Sequence, residues 1–236
     1  MIEESKKVAV FIDAENIPHE YAERILSEAS NYGDVIIKRI YADWSKMPQL
    51  KQWKEKSLSL ALRGDQQFAA VNGKNTSDIA LVVDVLTNFY EKRIDVFCLA
   101  SSDSDYTRLV QELKERQKTV VGFGMKQTTP AFVKSFSEFI YLDKDNVKES
   151  KQAEKEECLP SEQLTALKDI IENLIDTKGK ALYASIGMEM KNKFSDFIPK
   201  NYGYRTLGDL IKKSLAQIGR YETKSEGPGA YLISKK

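Results

Sequence analysis

The sequence of 236 residues contains one histidine, His19, and two cysteines, Cys98 and Cys158. A Ser-His-Asp or Cys-His mechanism therefore has a single imidazole available, and most zinc sites need more than one imidazole or thiolate. Two cysteines form neither a disulfide framework nor a four-cysteine zinc site, so we expect a reducing, cytoplasmic setting. If the protein is an enzyme, these shortages favour chemistry based on carboxylates, lysine, arginine, tyrosine or a metal held by oxygen.

Long apolar runs and a large net charge are also absent. No apolar run approaches the ~20 residues that span a bilayer, and the charged start MIEESKK is not a secretory signal, so we expect no membrane partner. The net charge is +1, which at first argues against a nucleic-acid partner. With 42% hydrophobic residues the chain has enough apolar side chains to form a core, which excludes disorder as the dominant state.

The first two-thirds of the chain alternate between strand and helix patterns. The segment VAVFI, at 8–12, is a continuous apolar run, as expected of a strand buried on both faces of a parallel sheet. The alternation predicts an α/β domain with a doubly wound, mostly parallel sheet. Strands are predicted at 8–12, 35–42, 67–71, 94–100, 119–124 and 138–142. Helices are predicted at 18–31 and 48–62, from a cap at Thr76 or Ser77, between the strand 94–100 and about residue 116, and at 130–136.

The composition changes near residue 144, where an almost wholly polar stretch begins. Such a charge run is typical of an exposed linker, and we predict domains at 1–146 and 159–236 joined by a linker at 147–158. The second domain shows helical patterns from Ser161 and then at 182–194 and 204–218. Two short extended runs follow around a turn at 226–229. This order predicts a small winged helix-turn-helix domain.

Four aspartates fall where a parallel sheet binds ligands, outside the carboxyl ends of its strands. Asp13 directly follows the first strand, Asp103 and Asp105 follow the strand DVFCLA, and Asp78 opens a helix. Helix capping explains Asp105 and the helix dipole explains Asp78, each taken alone. Together, four carboxylates at one edge would repel one another unless a cation shares them. Mg²⁺ and Mn²⁺ prefer carboxylate ligands, and when bound they can activate a water for phosphodiester hydrolysis without a histidine.

Four other chemically distinctive residues have simpler interpretations. Asp84 lies among apolar helix residues and is expected to be a charge at the helix edge. His19 is expected to be a surface or helix-start residue, because no second histidine accompanies it. Cys98 lies in an apolar strand and is expected to pack in the core, whereas Cys158 is an exposed thiol of the linker.

The ordered motifs FIDAEN, KNTSDIALVVD and SSDSDYTRLV resemble the NYN family of the PIN-like nuclease superfamily, over roughly residues 6–143. The resemblance implies a PIN-like fold with a Mg²⁺ or Mn²⁺ pocket that cleaves RNA. It assigns the catalytic and metal-binding positions to Asp13, Asp78, Asp103 and Asp105. No acidic position of the motif is missing, which favours retained activity.

Three polar residues near these motifs are further candidates. Asn16 matches the asparagine of the first motif and is expected to orient a metal-bound water or to contact the scissile phosphate. Lys74 matches the motif lysine and would offset phosphate charge, unless it is an ordinary loop lysine. Ser102, like Ser101, would donate a hydrogen bond to a carboxylate or phosphate, although turn formation explains both serines equally well.

In the second domain, KNYGYRTLGDLIKKSL and GPGAYLI resemble the OST-HTH (LOTUS) family over about residues 160–235. The resemblance implies RNA binding and, in some members, a protein partner. Residues 147–236 carry 16 basic and 13 acidic side chains, against 20 and 22 in residues 1–146, so the neutral total hides a basic second domain. We expect basic groups and surface tyrosines to hold RNA. The candidates are Lys180, Tyr202, Tyr204, Arg205, Lys212 and Lys213.

Two functions are compatible with this pattern. The first is a metal-dependent ribonuclease, expected to be an endonuclease, with a C-terminal RNA-binding module. The second is a non-catalytic RNA-binding or scaffold protein that retains the fold. A phosphatase of the haloacid-dehalogenase type is disfavoured, because that class needs a second aspartate where this sequence has Glu15.

Overall fold

The structure, a computed structural model, describes residues 5–44, 50–66, 76–143, 159–218, 221–226 and 229–234. The chain divides into two units, Met1–Leu142 and Asp143–Lys236. Each unit has its own apolar core, as expected of separate domains.

The first unit contains a six-stranded sheet in which all neighbouring strands are parallel. Its strands are β1 (Lys7–Asp13), β2 (Asp34–Ala42), β3 (Arg63–Gln66), β4 (Val96–Ala100), β5 (Thr119–Gly124) and β6 (Glu138–Tyr141). Their order is β3-β2-β1-β4-β5-β6. The chain runs outward from β1 to β3 and then continues on the other side of β1. The boundary between β1 and β4 is therefore the switch point, where such sheets bind ligands.

Helices flank this sheet between its strands. They are α1 (Ala22–Ser30), α2 (Leu50–Ser59), α3 (Thr76–Glu91), α4 (Thr107–Glu115) and α5 (Pro130–Ser135), with short 3-10 helices at His19–Tyr21 and Ser104–Tyr106. Among the described helices, none combines the length and the apolar composition that crossing a bilayer requires.

The burial of β1 explains where the first aspartate points. Every residue of 8–12 is buried, so both faces of the strand are covered. Side chains alternate along a strand, which places Ala9, Phe11 and Asp13 on one face. The apolar cluster on that face includes Leu81 of α3. Asp13 therefore lies at the end of a buried row of side chains that packs under α3.

The second unit combines three helices with a three-stranded antiparallel sheet. Its elements are α6 (Ser161–Lys178), β7 (Ala181–Leu182), α7 (Tyr183–Lys193), a 3-10 helix at Pro199–Tyr202, α8 (Leu207–Ile218), β8 (Tyr221–Glu226) and β9 (Gly229–Ser234). The strand order is β7-β9-β8. Gly179 ends α6 with φ +71°, a left-handed conformation that glycine adopts without strain, so the chain can turn into β7.

The predicted fold class is confirmed for both units. The predicted helix at 18–31 begins instead as the 3-10 helix at His19–Tyr21, and a strand forms at Arg63–Gln66 beside β2. The predicted strand at 67–71 and the linker at 147–158 lie outside the described residues. The predicted domain boundaries therefore stay predictions.

Candidate active site

Asp13 ends β1 at the switch point, and its carboxylate accepts four hydrogen bonds. Oδ1 accepts from the backbone N–H groups of Glu15 and Asn16, at 3.1 and 3.3 Å. Oδ2 accepts from Nδ2 of Asn16 at 2.7 Å and from the hydroxyl of Ser101 at 3.0 Å. The residue is 1% exposed. Because the donors come from both β1's own loop and the end of β4, the carboxylate is fixed across the switch point.

A short chain of hydrogen bonds connects Asp13 to the other aspartates that follow β4. The backbone N–H of Asp103 donates to Oγ of Ser101 at 3.0 Å. Oδ1 of Asp103 accepts from the backbone N–H of Asp105 at 2.9 Å, which caps the 3-10 helix that follows. One oxygen of Asp103 thus caps a short helix, as expected for a residue that follows a strand. These hydrogen bonds connect the carboxylate of Asp13 to the backbone N–H of Asp103 through Ser101.

Asp78 reaches the same edge from the first turn of α3. Its Oδ1 accepts a hydrogen bond from the hydroxyl of Tyr106, at 2.7 Å. Tyr106 is 1% exposed and its ring belongs to the core cluster of the first unit. The contact therefore joins the start of α3 to the segment that carries Asp103 and Asp105.

The environment of Asp13 disfavours its charged form. Burial raises the pKa of Asp13 to about 6, and the charge of Asp78 adds to the shift. Hydrogen bonds from Asn16 and Ser101 oppose it without cancelling it. A carboxylate held in this way gains stability from any cation bound beside it.

Asp78 shows that the acidic side chains influence one another electrostatically. Burial raises the pKa of Asp78 and the hydrogen bond from Tyr106 opposes the shift. The charges of Asp103, Glu15 and Asp105 raise this pKa further. Within the described parts of the chain, no lysine, arginine or histidine forms an ion pair with any of the four predicted aspartates. The negative charge at this edge is not neutralised by these residues.

The donor set fits a hard divalent cation, because all four side chains offer carboxylate oxygens. Among the residues described, no three His, Cys, Asp or Glu side chains are grouped closely enough to hold a metal. Mg²⁺ is usually held by one or two carboxylates together with water and substrate phosphates, so it does not need a cage of four.

Sequence reasoning missed one carboxylate at this edge, Asp43, and assigned no role to another, Glu15. Asp43 directly follows β2 and is buried, and its backbone N–H donates to Oε1 of Glu15 at 3.0 Å. Glu15 itself lies in the loop after β1. The signal for Asp43 was present, since it follows an apolar strand just as Asp13 and Asp103 do. The contribution of Tyr106 carried no such signal, because its contact with Asp78 joins residues 28 positions apart.

Asp84 belongs to a different cluster. It accepts hydrogen bonds from Arg39 and Tyr41 of β2 and, at 2.9 Å, from Nδ2 of Asn88. Arg39 and Asp84 form an ion pair in which both side chains are mostly buried. This carboxylate pairs with arginine and connects α3 to β2 of the sheet.

The remaining candidates of the first unit differ in placement. Asn16 is exposed and its amide holds Asp13. Oγ of Ser102 accepts from the backbone N–H of Met125 at 2.9 Å and from the hydroxyl of Thr128 at 3.0 Å, so it fastens the loop after β5. Lys74 lies outside the described residues.

In the second unit the expectation of surface tyrosines is wrong. Tyr202 and Tyr204 are 3% and 8% exposed, and both belong to the core. The hydroxyl of Tyr202 donates to Oε1 of Gln163 at 2.6 Å, which satisfies its polar end inside the unit. Arg205, Lys212 and Lys213 are exposed, and Lys180 lies 4.9 Å from the ring centroid of Tyr231.

The six-stranded parallel sheet flanked by helices, with acidic residues at its switch point, defines an α/β protein of PIN-like fold, and a smaller helical unit follows it. The sequence profile of the NYN domain matches residues 7–143, more than half of the chain, and the chain belongs to the NYN family. The OST-HTH/LOTUS domain profile matches residues 159–232. NYN is a nuclease-like domain and OST-HTH/LOTUS domains bind RNA.

A solved structure shares the fold. It is the crystal structure of a protein of unknown function from Vibrio parahaemolyticus, with a TM-score of 0.51 and 18% identity over 61% of this chain and 96% of that chain. No curated protein matches the sequence.

Proposed function

We propose that this protein is a Mg²⁺- or Mn²⁺-dependent endoribonuclease that hydrolyses RNA at the carboxyl edge of its parallel sheet. The observation that carries the proposal is the group of four aspartates at the switch point, none of which forms an ion pair with a described cation. Asp13 is buried, Asp78 and Asp103 are partly buried, and Asp105 is exposed. A bound divalent ion would supply an activated water and neutralise the developing charge on the phosphodiester.

The side chains at this edge have separate proposed roles. Asp13 and Asp103 are proposed as the metal ligands, because each leaves a strand at the switch point. Asp78 and Asp105 are proposed to complete the acidic ring and to bind metal-bound water. Asn16 holds Asp13 in place through its amide, at 2.7 Å, and is exposed on the side that substrate would approach.

The second unit is proposed to hold the RNA backbone. Arg205, Lys212 and Lys213 are exposed, and residues 147–236 have a net basic excess. Contacts of this kind release counterions from the phosphates, so binding weakens as salt is added. Because Tyr202 and Tyr204 are in the core, these contacts are proposed to be electrostatic.

The experiment that tests the activity compares wild type with Asp13→Asn and Asp103→Asn on labelled linear and circular RNA, with Mn²⁺ or with EDTA. We expect metal-dependent cleavage by wild type, including of the circle, and at least a ~100-fold lower rate for both variants. Asp34→Asn is the matched control, because Asp34 is an exposed carboxylate at the opposite end of β2.

Three outcomes contradict the proposal or part of it. Cleavage that is equal in wild type and variants, with EDTA present, would rule out the metal site. Metal-dependent cleavage of linear RNA alone would make the protein an exonuclease. RNA binding without cleavage of either substrate would favour the non-catalytic alternative.

A further inference from the structure

Tyr106 places one hydroxyl group among the acidic side chains. Its ring is packed in the core cluster with Phe11, Leu81 and Leu109, and the whole residue is 1% exposed. The only part of the side chain that takes part in a hydrogen bond is the hydroxyl, which donates to Oδ1 of Asp78 at 2.7 Å. The buried ring therefore holds the hydroxyl of Tyr106 in a fixed position beside Asp78 at the acidic edge.

Asp78 depends on this donor for its orientation. It lies in the first turn of α3, and in the described part of the chain Tyr106 is the one side chain that hydrogen-bonds it. Asp13, by contrast, is fixed by four donors. With Oδ1 of Asp78 accepting from Tyr106, Oδ2 is the oxygen of this carboxylate that accepts no side-chain hydrogen bond from the described residues.

We propose that Tyr106 is a positioning residue that fixes the Asp78 carboxylate for binding a divalent cation or its water. This inference rests on the proposed function, because it assigns a supporting role within the same site. Groups that orient metal ligands in this way typically contribute 10–100-fold to metal affinity or activity. The hydroxyl, and not the ring, is the part of Tyr106 that performs the role.

The first unit contains a matched contact that serves as a control. The hydroxyl of Tyr32 donates to Oε2 of Glu138 at 2.7 Å, the same bond to the same kind of group. Glu138 is the first residue of β6, so this contact lies at the amino end of the parallel strands, opposite the acidic edge. Tyr32→Phe and Tyr106→Phe therefore remove equivalent hydrogen bonds, one away from the candidate site and one within it.

The test measures Mn²⁺ binding to the metal-free full-length chain, without RNA, by electron paramagnetic resonance of free Mn²⁺. We expect Tyr106→Phe to weaken Mn²⁺ binding by roughly 10-fold or more, and Tyr32→Phe to leave it within about twofold of wild type. Thermal unfolding is recorded for each variant, so that a general loss of structure is separated from a loss at the site. A structural role alone would change unfolding similarly in both variants and would not change Mn²⁺ binding selectively.

A double-mutant cycle with Asp78→Asn tests whether Tyr106 acts through Asp78. If it does, Tyr106→Phe has no further effect on Mn²⁺ binding once Asp78 is replaced. Additive effects of the two substitutions would overturn the inference, as would wild-type Mn²⁺ affinity in Tyr106→Phe. Failure of wild type to bind Mn²⁺ and to cleave RNA would instead overturn the proposed function and this inference with it.

Discussion

Two carboxylates on α3 show how neighbouring side chains divide structural from functional positions. Asp84 pairs with Arg39 and accepts hydrogen bonds from Tyr41 and Asn88, so its charge is neutralised within the protein. Asp78, six residues earlier on the same helix, accepts one side-chain hydrogen bond from the described residues, donated by the neutral hydroxyl of Tyr106. The two residues are of the same type and in the same helix.

The number and charge of its partners, and not the carboxylate itself, determine whether an aspartate has a structural or a functional position. A carboxylate with an arginine partner fastens a helix to a sheet. Several carboxylates that face one another without a cation remain costly until a ligand supplies the positive charge. Among the described residues, the acidic edge therefore has no cationic side chain to pair with its carboxylates, whereas Asp84 is paired with Arg39.

Replacing Asp78 should change activity far more than replacing Asp84. Asp78→Asn removes a group proposed to bind metal-bound water, so we expect RNA cleavage with Mn²⁺ to fall at least about 100-fold. Stability in the absence of metal should not fall, because the charge removed is disfavoured by burial and by its acidic neighbours. Single-turnover cleavage rates and urea unfolding measure the two effects. Wild-type rates in this variant would remove Asp78 from the site.

Replacing Asp84 should give the opposite pattern. Asp84→Asn removes the closer ion-pair partner of the mostly buried Arg39 guanidinium and leaves it Asp65, at 4.0 Å, so we expect a loss of about 2 kcal/mol in the free energy of unfolding. Cleavage by the folded fraction should stay within a few-fold of wild type. Urea unfolding and cleavage rates at a temperature where the variant remains folded provide the check. A large loss of cleavage with unchanged stability would instead give Asp84 a functional and not a structural role.

The acidic edge should also give a pH signature in the metal-free protein. The pKa of Asp13 is raised from 3.8 to about 6 in the folded state, so the folded chain binds this proton more tightly than the unfolded chain. The contribution of Asp13 to stability is therefore largest below pH 4, declines as pH rises to about 6 and is constant above. Relative to Asp13→Asn, wild type should lose roughly 2–3 kcal/mol across this window.

Urea unfolding of both proteins at several pH values measures this difference, and Mn²⁺ at neutral pH should restore much of it by binding the folded state. A difference in the free energy of unfolding between the two proteins that does not vary with pH would show that burial does not raise the pKa of Asp13.

The smallest expected effect concerns the second unit. Replacing Lys212 and Lys213 with alanine should weaken RNA binding several-fold at low salt and reduce its salt dependence. Tyr202→Phe, which removes a buried hydrogen bond to Gln163, should leave RNA binding unchanged and lower stability by about 1 kcal/mol. Fluorescence anisotropy over a salt series distinguishes the two. Weaker binding by Tyr202→Phe alone would return this tyrosine to the RNA-binding surface.

The parts of the fold that sequence predicted are those determined by local pattern. Apolar runs such as VAVFI predicted the buried strands, and aspartates directly after them predicted the acidic edge, since parallel strands end on the same side. The strand at Arg63–Gln66 has no apolar pattern and forms because β2 offers it an edge. Local sequence could not indicate that pairing.

The parts of the site that sequence did not predict depend on tertiary contacts. Tyr106 meets Asp78 only because α3 and the segment after β4 converge. Tyr202 is buried, and Gln163 of α6 accepts the hydrogen bond from its hydroxyl. From sequence alone, a tyrosine close to basic residues is equally typical of a surface. In both cases the side chain's partner, and not its neighbours in sequence, determines its role.

Diffraction from crystals soaked in Mn²⁺, with data recorded at the manganese edge, tests the central claim most directly. We expect an anomalous peak at the switch point, against the carboxylates of Asp13 and Asp103, and loss of that peak in Asp103→Asn. We also expect no peak beside Asp84, whose charge Arg39 already neutralises. Crystals saturated with Mn²⁺ that show no peak at the switch point would show that these carboxylates do not bind the ion.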